Sequence, residues 1–502
     1  MLVLALPVLA EESLNLLVGY TDFFLAGRLL PGEEPKAAMG LIAYVMWLLP
    51  SLFSFVSIGA TALVARFVGA RDFRQATHAT TQALLLGIGL AVLGIVLTTV
   101  LAVPFVHAMQ LRGETAELAL RYIRIVTWAI PAIMLEYVGT ACLRGAGDTV
   151  SGLVARVVLN IVNICLSVAL VTGFAFFPRL GWDGLAIGTT IGHWCGGLII
   201  LGLLLRGRAG IRAFGGDHVA GTLRVPSEAH GTRSVPTTFT ERVARPGATR
   251  RAWLNLSAAL HALRVAPGRA TPDVELMRRM LRVGLPGGVD VLSIIACHLL
   301  YVAIINSLGT VAQAAHGLGV RIEALSYLPG SAFQVAAATL AGQALGAADP
   351  RGARRSVLAA MSGAVSVMSM AGIVFFAWGE ELAMVFTGQR GEIAILTGQL
   401  LKVVALATPV LAVLMVLTGA LRGAGDTRWM LAITFVGLVG VRLPLACLLA
   451  WPAVPLPLVG ITLPGAGLGV LGAWYAMVID VATRATLASL RFQHGGWKGV
   501  RV

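Results

Sequence analysis

The sequence predicts an all-α polytopic membrane protein of twelve transmembrane helices, built as two parallel copies of a six-helix bundle. Three observations predict it. The chain has 502 residues, 57% of them hydrophobic and only 12% charged, where a soluble domain carries about 25% charge. Apolar runs such as Ala83–Val103 and Leu153–Val171 approach the roughly 20 residues that a helix needs to cross a bilayer. The hexapeptide Arg-Gly-Ala-Gly-Asp-Thr stands at Arg144–Thr149 and again at Arg422–Thr427. A membrane β-barrel would instead alternate over segments of about 10 residues.

Other features recur at almost the same offset as the hexapeptide. Pro7 matches Pro286, Pro50 matches Pro329 and Pro131 matches Pro409. Gly69-Ala70-Arg71-Asp72 returns as Gly346-Ala347-Ala348-Asp349. A constant offset marks a duplicated unit. In a membrane protein, two copies of one bundle usually flank a pathway through the bilayer.

Hydropathy places the first six helices near 4–27, 39–64, 79–104, 119–142, 151–174 and 184–205. The second six fall near 281–306, 317–342, 357–379, 397–420, 429–451 and 467–489. The domains are then an N-terminal bundle over 1–205, a linker over 206–279 and a C-terminal bundle over 280–502. Arginines gather in alternate loops, at Arg66, Arg71 and Arg74, at Arg351, Arg354 and Arg355, and in both hexapeptides. The positive-inside rule therefore puts both termini and the linker in the cytoplasm, with the chain in the plasma (inner) membrane. Six helices per copy is an even number, so both copies run in the same direction. The polar stretch Arg206–Thr271 reads as a partly flexible linker. Within it, Trp253–Val265 is either a surface amphipathic helix or a solvated loop.

The formal charge of +14 belongs to these loops, which excludes a nucleic-acid partner and leaves membrane lipid. Five cysteines without a CxxC pattern read as small core residues, with no disulfide and no metal site. Met1–Ala10 has no positive n-region and reads as the start of the first helix, not as a signal peptide. The second copy carries Arg278, Arg279 and Arg282 before its proline and the first has no counterpart, so native residues are expected upstream. There is no GxxxxGK[ST], HExxH or GxSxG pattern, which argues against an ATP-driven pump and against an enzyme.

Acids inside apolar segments carry the chemical signal. Glu11, Asn15 and Asp22 share one face of the first helix within about 40°, with Glu12 beside them. Asp290, Cys297 and Tyr301 share a face of the seventh within about 20°. The repeat maps Glu11 onto Asp290 and Asp22 onto Tyr301. A carboxylate at that depth costs about 2.5–3.5 kcal/mol or more and usually lines a pathway or a proton relay. Asp22, Glu11, Glu12 and Asn15 are thus candidate cation-coupling residues, and Asp290, Cys297 and Tyr301 candidate cavity residues. Asn160, Asn163, His193, His298, Arg321 and Glu323 are further polar groups in or beside the apolar segments. Pro50, Pro131, Pro329 and Pro409 interrupt helices in matched pairs and are candidate hinges. The hexapeptide reads as a turn: glycine ends one helix, and Asp or Thr caps the next.

Three motifs together resemble the multidrug and toxic compound extrusion (MATE) family. They are Pro7…Gly19-Tyr20-Thr21-Asp22…Ala26-Gly27, the stretch Ala341–Asp349, and both Leu-Arg-Gly-Ala-Gly-Asp-Thr turns. The resemblance implies two bundles forming a V around a central cavity, and a monomer exporting small organic cations in exchange for H⁺ or Na⁺ without a cofactor. It implies that Asp22 is the coupling acid and a possible Na⁺ site, assisted by Asn163. Ser167 stands where the family carries a second amide or acid, with Glu11, Glu12 or Asn15 as candidates to compensate. The alternative is a flippase for a lipid-linked sugar from the same broader superfamily. A flippase cavity is expected to be lined with Arg or Lys, whereas the first helix of each half carries acids.

Overall fold

The computed structural model describes residues 1–109, 111–174, 176–213, 271–456, 461–500 and 502. Twelve helical units follow one another among them. In the N-terminal lobe they are α1 (Leu2–Leu29), α2 (Glu34–Leu52 continued by Ser54–Gly69), α3 (Phe73–Ala108), α4 (Gly113–Gly145), α5 (Val150–Thr172) and α6 (Trp182–Arg206). In the C-terminal lobe they are α7 (Val274–Asn306), α8 (Thr310–Gly346), α9 (Pro350–Thr387), α10 (Glu392–Gly423), α11 (Thr427–Ala450) and α12 (Gly469–His494). Most expected ends fall short by a few residues, because polar turns extend each helix beyond its apolar centre. Eleven of the described helices are long and apolar enough to cross a membrane. The long α8 is more polar, interrupted by Gln313, His316, Arg321 and Glu323. One element departs from the all-α expectation: β1 (Ala453–Leu456) pairs antiparallel with β2 (Ile461–Pro464) between α11 and α12. Most of the expected linker, including Trp253–Val265, lies outside the described residues.

The repeated motifs form the same turns twice. Gly147 and Gly425 adopt φ of 92° and 87°, left-handed values that end a helix where a side chain would be strained. Asp148 and Asp426 each donate a backbone N–H at 2.8 Å to the helix just ended, at Leu143 and Leu421. Asp72 and Asp349 cap α3 and α9, accepting from the N–H of Gln75 and Gly352 at 2.9 and 2.7 Å.

The first helix of each lobe crosses to the other. Ala5 and Val8 of α1 sit in the hydrophobic cluster of the C-terminal lobe, while Leu276 and Met280 of α7 sit in that of the N-terminal lobe. Accordingly α1 packs against α8, and α7 against α2. The arginine-bearing loops meet at one end and seal the lobes together there. An added Cβ on Gly69 would stand 1.9 Å from the Gln343 carbonyl, and one on Gly346 would stand 2.0 Å from the Arg66 carbonyl. Across the same seal Gln343 donates to the Gly145 carbonyl at 3.0 Å and Thr339 to the Arg144 carbonyl at 2.9 Å.

Pro50 precedes the break at Phe53 between the two pieces of α2. Pro131 stands in α4 between a 3₁₀ turn (Thr127–Ala129) and a π turn (Leu135–Gly139). Pro329 and Pro409 lie within unbroken helices.

Candidate functional site

Asp22 is a buried acid of α1, with 3% of its surface exposed. Three donors from three other helices converge on it. Tyr122 Oη of α4 donates at 2.9 Å, Thr189 Oγ1 of α6 at 2.7 Å, and Asn163 Nδ2 of α5 at 3.5 Å. Asn163 also donates to Thr189 at 2.9 Å. The shell contains only neutral donors, so the carboxylate meets no fixed cation in direct contact. Two oxygens in this region, Asn163 Oδ1 and Ser167 Oγ, are buried without a partner. The expected pair of Asp22 and Asn163 is therefore assembled, whereas Ser167 makes no hydrogen bond to Asp22 and packs against Gly188. Tyr122 and Thr189 were not singled out from the sequence. Thr189 left a weak signal, a hydroxyl within the apolar run of α6.

The other first-helix acids are not free. Arg144 of the first hexapeptide pairs with Glu11 at 2.9 Å and with Glu12 at 3.4 Å. Arg422 of the second pairs with Asp290 at 2.5 Å. The hexapeptide arginine thus folds back from its turn to neutralise the acid of the first helix in its own lobe. Glu11, Glu12 and Asn15 line a small pocket of about 60 Å³ with Glu136, Arg144 and Arg156, and provide no ligand to Asp22. Glu136 is a buried acid that sequence reasoning missed. The π turn of α4 carries it against Arg156 Nη1 at 3.2 Å and His193 Nδ1 at 3.1 Å.

A cavity of about 1140 Å³ lies between the lobes, with Asp22 and Asn15 in its wall. The α7 residues that line it are Val291, Ile294 and Ile295. Asp290, Cys297 and Tyr301, expected there, are instead buried in lobe packing and are not among the lining residues. Their helical face turns towards α10, α11 and α12. Tyr301 occupies the place that Asp22 holds in the first copy, and the Arg442 guanidinium lies 5.7 Å from its ring centre. Arg442 is paired with Asp480 at 2.8 Å, and Arg484 pairs with the same carboxylate at 2.7 Å. The C-terminal counterpart of the Asp22 site is filled by the protein's own ion pairs.

Two helical lobes around a largely apolar cavity, with one carboxylate among its described lining residues, make a membrane transporter rather than an enzyme. The MatE family model matches residues 7–169 and again 286–448, one match per repeat, and the chain belongs to the MatE family. It is 24% identical over 99% of its length, and 92% of the relative's, to a probable multidrug resistance protein NorM of Thermotoga maritima. It is 22% identical over its whole length, and 92% of the relative's, to the multidrug resistance protein PmpM of Pseudomonas aeruginosa. A MATE transporter of the MOP superfamily solved in an outward-facing conformation superposes with a TM-score of 0.77 at 20% identity, over 99% of this chain and 96% of that one. A Pyrococcus furiosus transporter of the same superfamily, described as having a binding pocket of reverse polarity that suggests a different function, superposes equally well. Its TM-score is 0.77 at 20% identity, over 99% of this chain and 96% of that one.

Proposed function

We propose that the protein is a secondary active antiporter that exports small amphipathic compounds in exchange for H⁺ or Na⁺ by alternating access. The observation that carries this reading is Asp22: a buried carboxylate on the cavity wall, held by hydroxyl and amide groups and by no fixed cation. Such a group can take up and release an ion that moves through the cavity. Its oxygen-rich surroundings suit either a proton on the carboxylate or a hard cation. Pro50 and Pro131 mark irregular points of their helices, and with Pro329 and Pro409 are the proposed hinges. The proposed setting is a monomer in the plasma (inner) membrane with both termini cytoplasmic. The names of NorM and PmpM as multidrug resistance proteins support the export of small organic compounds.

The expectation of cationic substrates came from the family resemblance and from carboxylates on apolar cavity walls. Glu11, Glu12 and Asp290 are paired with arginines, so Asp22 alone of those carboxylates supports it. The lipid-flippase reading gains an observation, because four arginines line the cavity, and it stands as the second reading. The test is uptake of a fluorescent compound into proteoliposomes under a pH gradient and, separately, under a Na⁺ gradient. One gradient driving uptake is the expected result. Uptake under neither, with flipping of a labelled lipid instead, favours the second reading.

A further inference from the structure

Within the cavity, three of the four lining arginines are already neutralised. Arg144 pairs with Glu11 and Glu12, Arg156 with Glu136, and Arg422 with Asp290. The fourth, Arg321 of α8, is exposed on the cavity wall and makes no ion pair among the described residues. Glu323, two positions on, does not line the cavity. The layering matters as much as the number. The side chains of Glu11, Glu136 and Asp290 are only 6%, 4% and 1% exposed, while Arg144 and Arg422 are 19% and 17% exposed. Glu11, Glu136 and Asp290 lie behind their guanidinium partners, while Glu12, 30% exposed, opens onto the smaller neighbouring pocket and not onto this cavity. Arg144 and Arg422 each keep a buried Nε without a partner. Among the described residues the only lining carboxylate is Asp22, which is buried and already accepts three hydrogen bonds.

A solute entering this space therefore meets guanidinium donors before it meets a carboxylate. The rest of the wall is apolar and aromatic, with Tyr20, Tyr44, Trp47, Ile294 and Ile295. We infer that the exported compounds carry one anionic group, a carboxylate, sulfonate or phosphate, on an apolar or aromatic body, and that Arg321 anchors the anion. An unpaired guanidinium in a cavity with low-dielectric walls is complementary to a planar oxyanion, which it can hold with two parallel hydrogen bonds. This inference rests on the antiporter reading and specifies its substrate. Aromatic walls also attract organic cations, so the sign of the preferred substrate is open to direct measurement.

The test uses the full-length protein in proteoliposomes and two xanthene dyes of similar shape, sulforhodamine B as the anion and rhodamine 6G as the cation. Binding to the detergent-purified protein and gradient-driven transport are measured for both. The expected result is tighter binding and faster transport of sulforhodamine B. Arg321→Gln should lower the ratio of anionic to cationic affinity about tenfold, as expected for losing one charge-assisted contact. Arg321→Lys, which keeps the charge, should retain most of that ratio. A parallel arm follows a fluorescent phosphatidylglycerol by dithionite quenching. Flipping that depends on Arg321 would assign the anion to a lipid headgroup, and transport of the soluble dye alone would assign it to a free solute. Tighter binding of rhodamine 6G with export intact, or an affinity ratio unmoved in a well-folded Arg321→Gln protein, overturns the inference and leaves the antiporter reading standing.

Discussion

Arg422 brings its Nη2 to 2.5 Å from Asp290 Oδ2, joining the end of α10 to the first helix of the same lobe. Arg144 and Glu11 repeat the contact at 2.9 Å in the first copy. Duplication has kept an ion pair between two segments far apart in sequence. Removing one partner of a buried pair strands the other charge in a poor solvent. Asp290→Asn is therefore expected to destabilise the protein by about 3 kcal/mol. The double change Asp290→Asn with Arg422→Gln should recover part of that loss. Thermal unfolding in detergent, read as a double-mutant cycle, checks both; additive losses would mean that the pair is not coupled.

The seal between the lobes rests on backbone approaches that only glycine allows at Gly69 and Gly346. An alanine at either position would press on a carbonyl at about 2 Å. Overpacking of this kind costs about 1–3 kcal/mol and falls on the sealed state alone. Gly346→Ala should thus shift the population towards an arrangement with the arginine-loop end open. Labelling of Thr339→Cys by an impermeant thiol reagent from that side, in a background without the five native cysteines, should rise about fivefold or more. Unchanged labelling would mean that the seal adapts without opening.

Asp273 caps α7 by accepting from the Leu276 N–H at 3.0 Å and contacts His78 Nε2 of α3 at 3.0 Å. The Leu276 N–H, then His78, hold its carboxyl below the ordinary value of 3.8. A depressed folded-state value means that the contribution is fully present above about pH 4 and is lost as pH falls through the lower folded value. Asp273→Ala should cost about 1 kcal/mol at neutral pH, and the difference from the native chain should shrink in acid. Melting temperatures at pH 7 and pH 3 test this; an equal difference at both would contradict the charge-dependent cap.

Much of the fold was legible because membrane spans and duplication leave local, countable marks. Paired prolines, the two hexapeptides and twelve apolar runs specify the lobes and their parallel sense. Asp22 and Asn163 were legible as polar groups stranded in apolar helices. What completes their site was not. Tyr122 and Thr189 lie 100 and 167 residues from Asp22, and only packing brings them together. The hexapeptide read correctly as a turn, but its arginine could not be seen to reach back to Glu11 or Asp290. That pairing reverses the expected exposure of the acids and, with Arg156 and Arg321, the polarity of the cavity wall. The short β1–β2 hairpin was also missed, in a stretch where proline and glycine obscure the alternation of a strand.

The central claim is that Asp22 carries the coupling ion, and one transport measurement tests it most directly. Asp22→Asn, reconstituted at the same density as the native chain, is followed for uptake under whichever gradient drives the native protein. The hydrogen-bonding shell of Tyr122, Thr189 and Asn163 remains to hold an amide, so the variant is expected to fold and insert. Tyr122→Phe, which removes one donor to the carboxylate, should retain transport at a rate reduced about tenfold. The expected result for Asp22→Asn is gradient-driven transport at the level of empty liposomes, with substrate still binding to the protein. Coupled transport at the native rate would contradict the account.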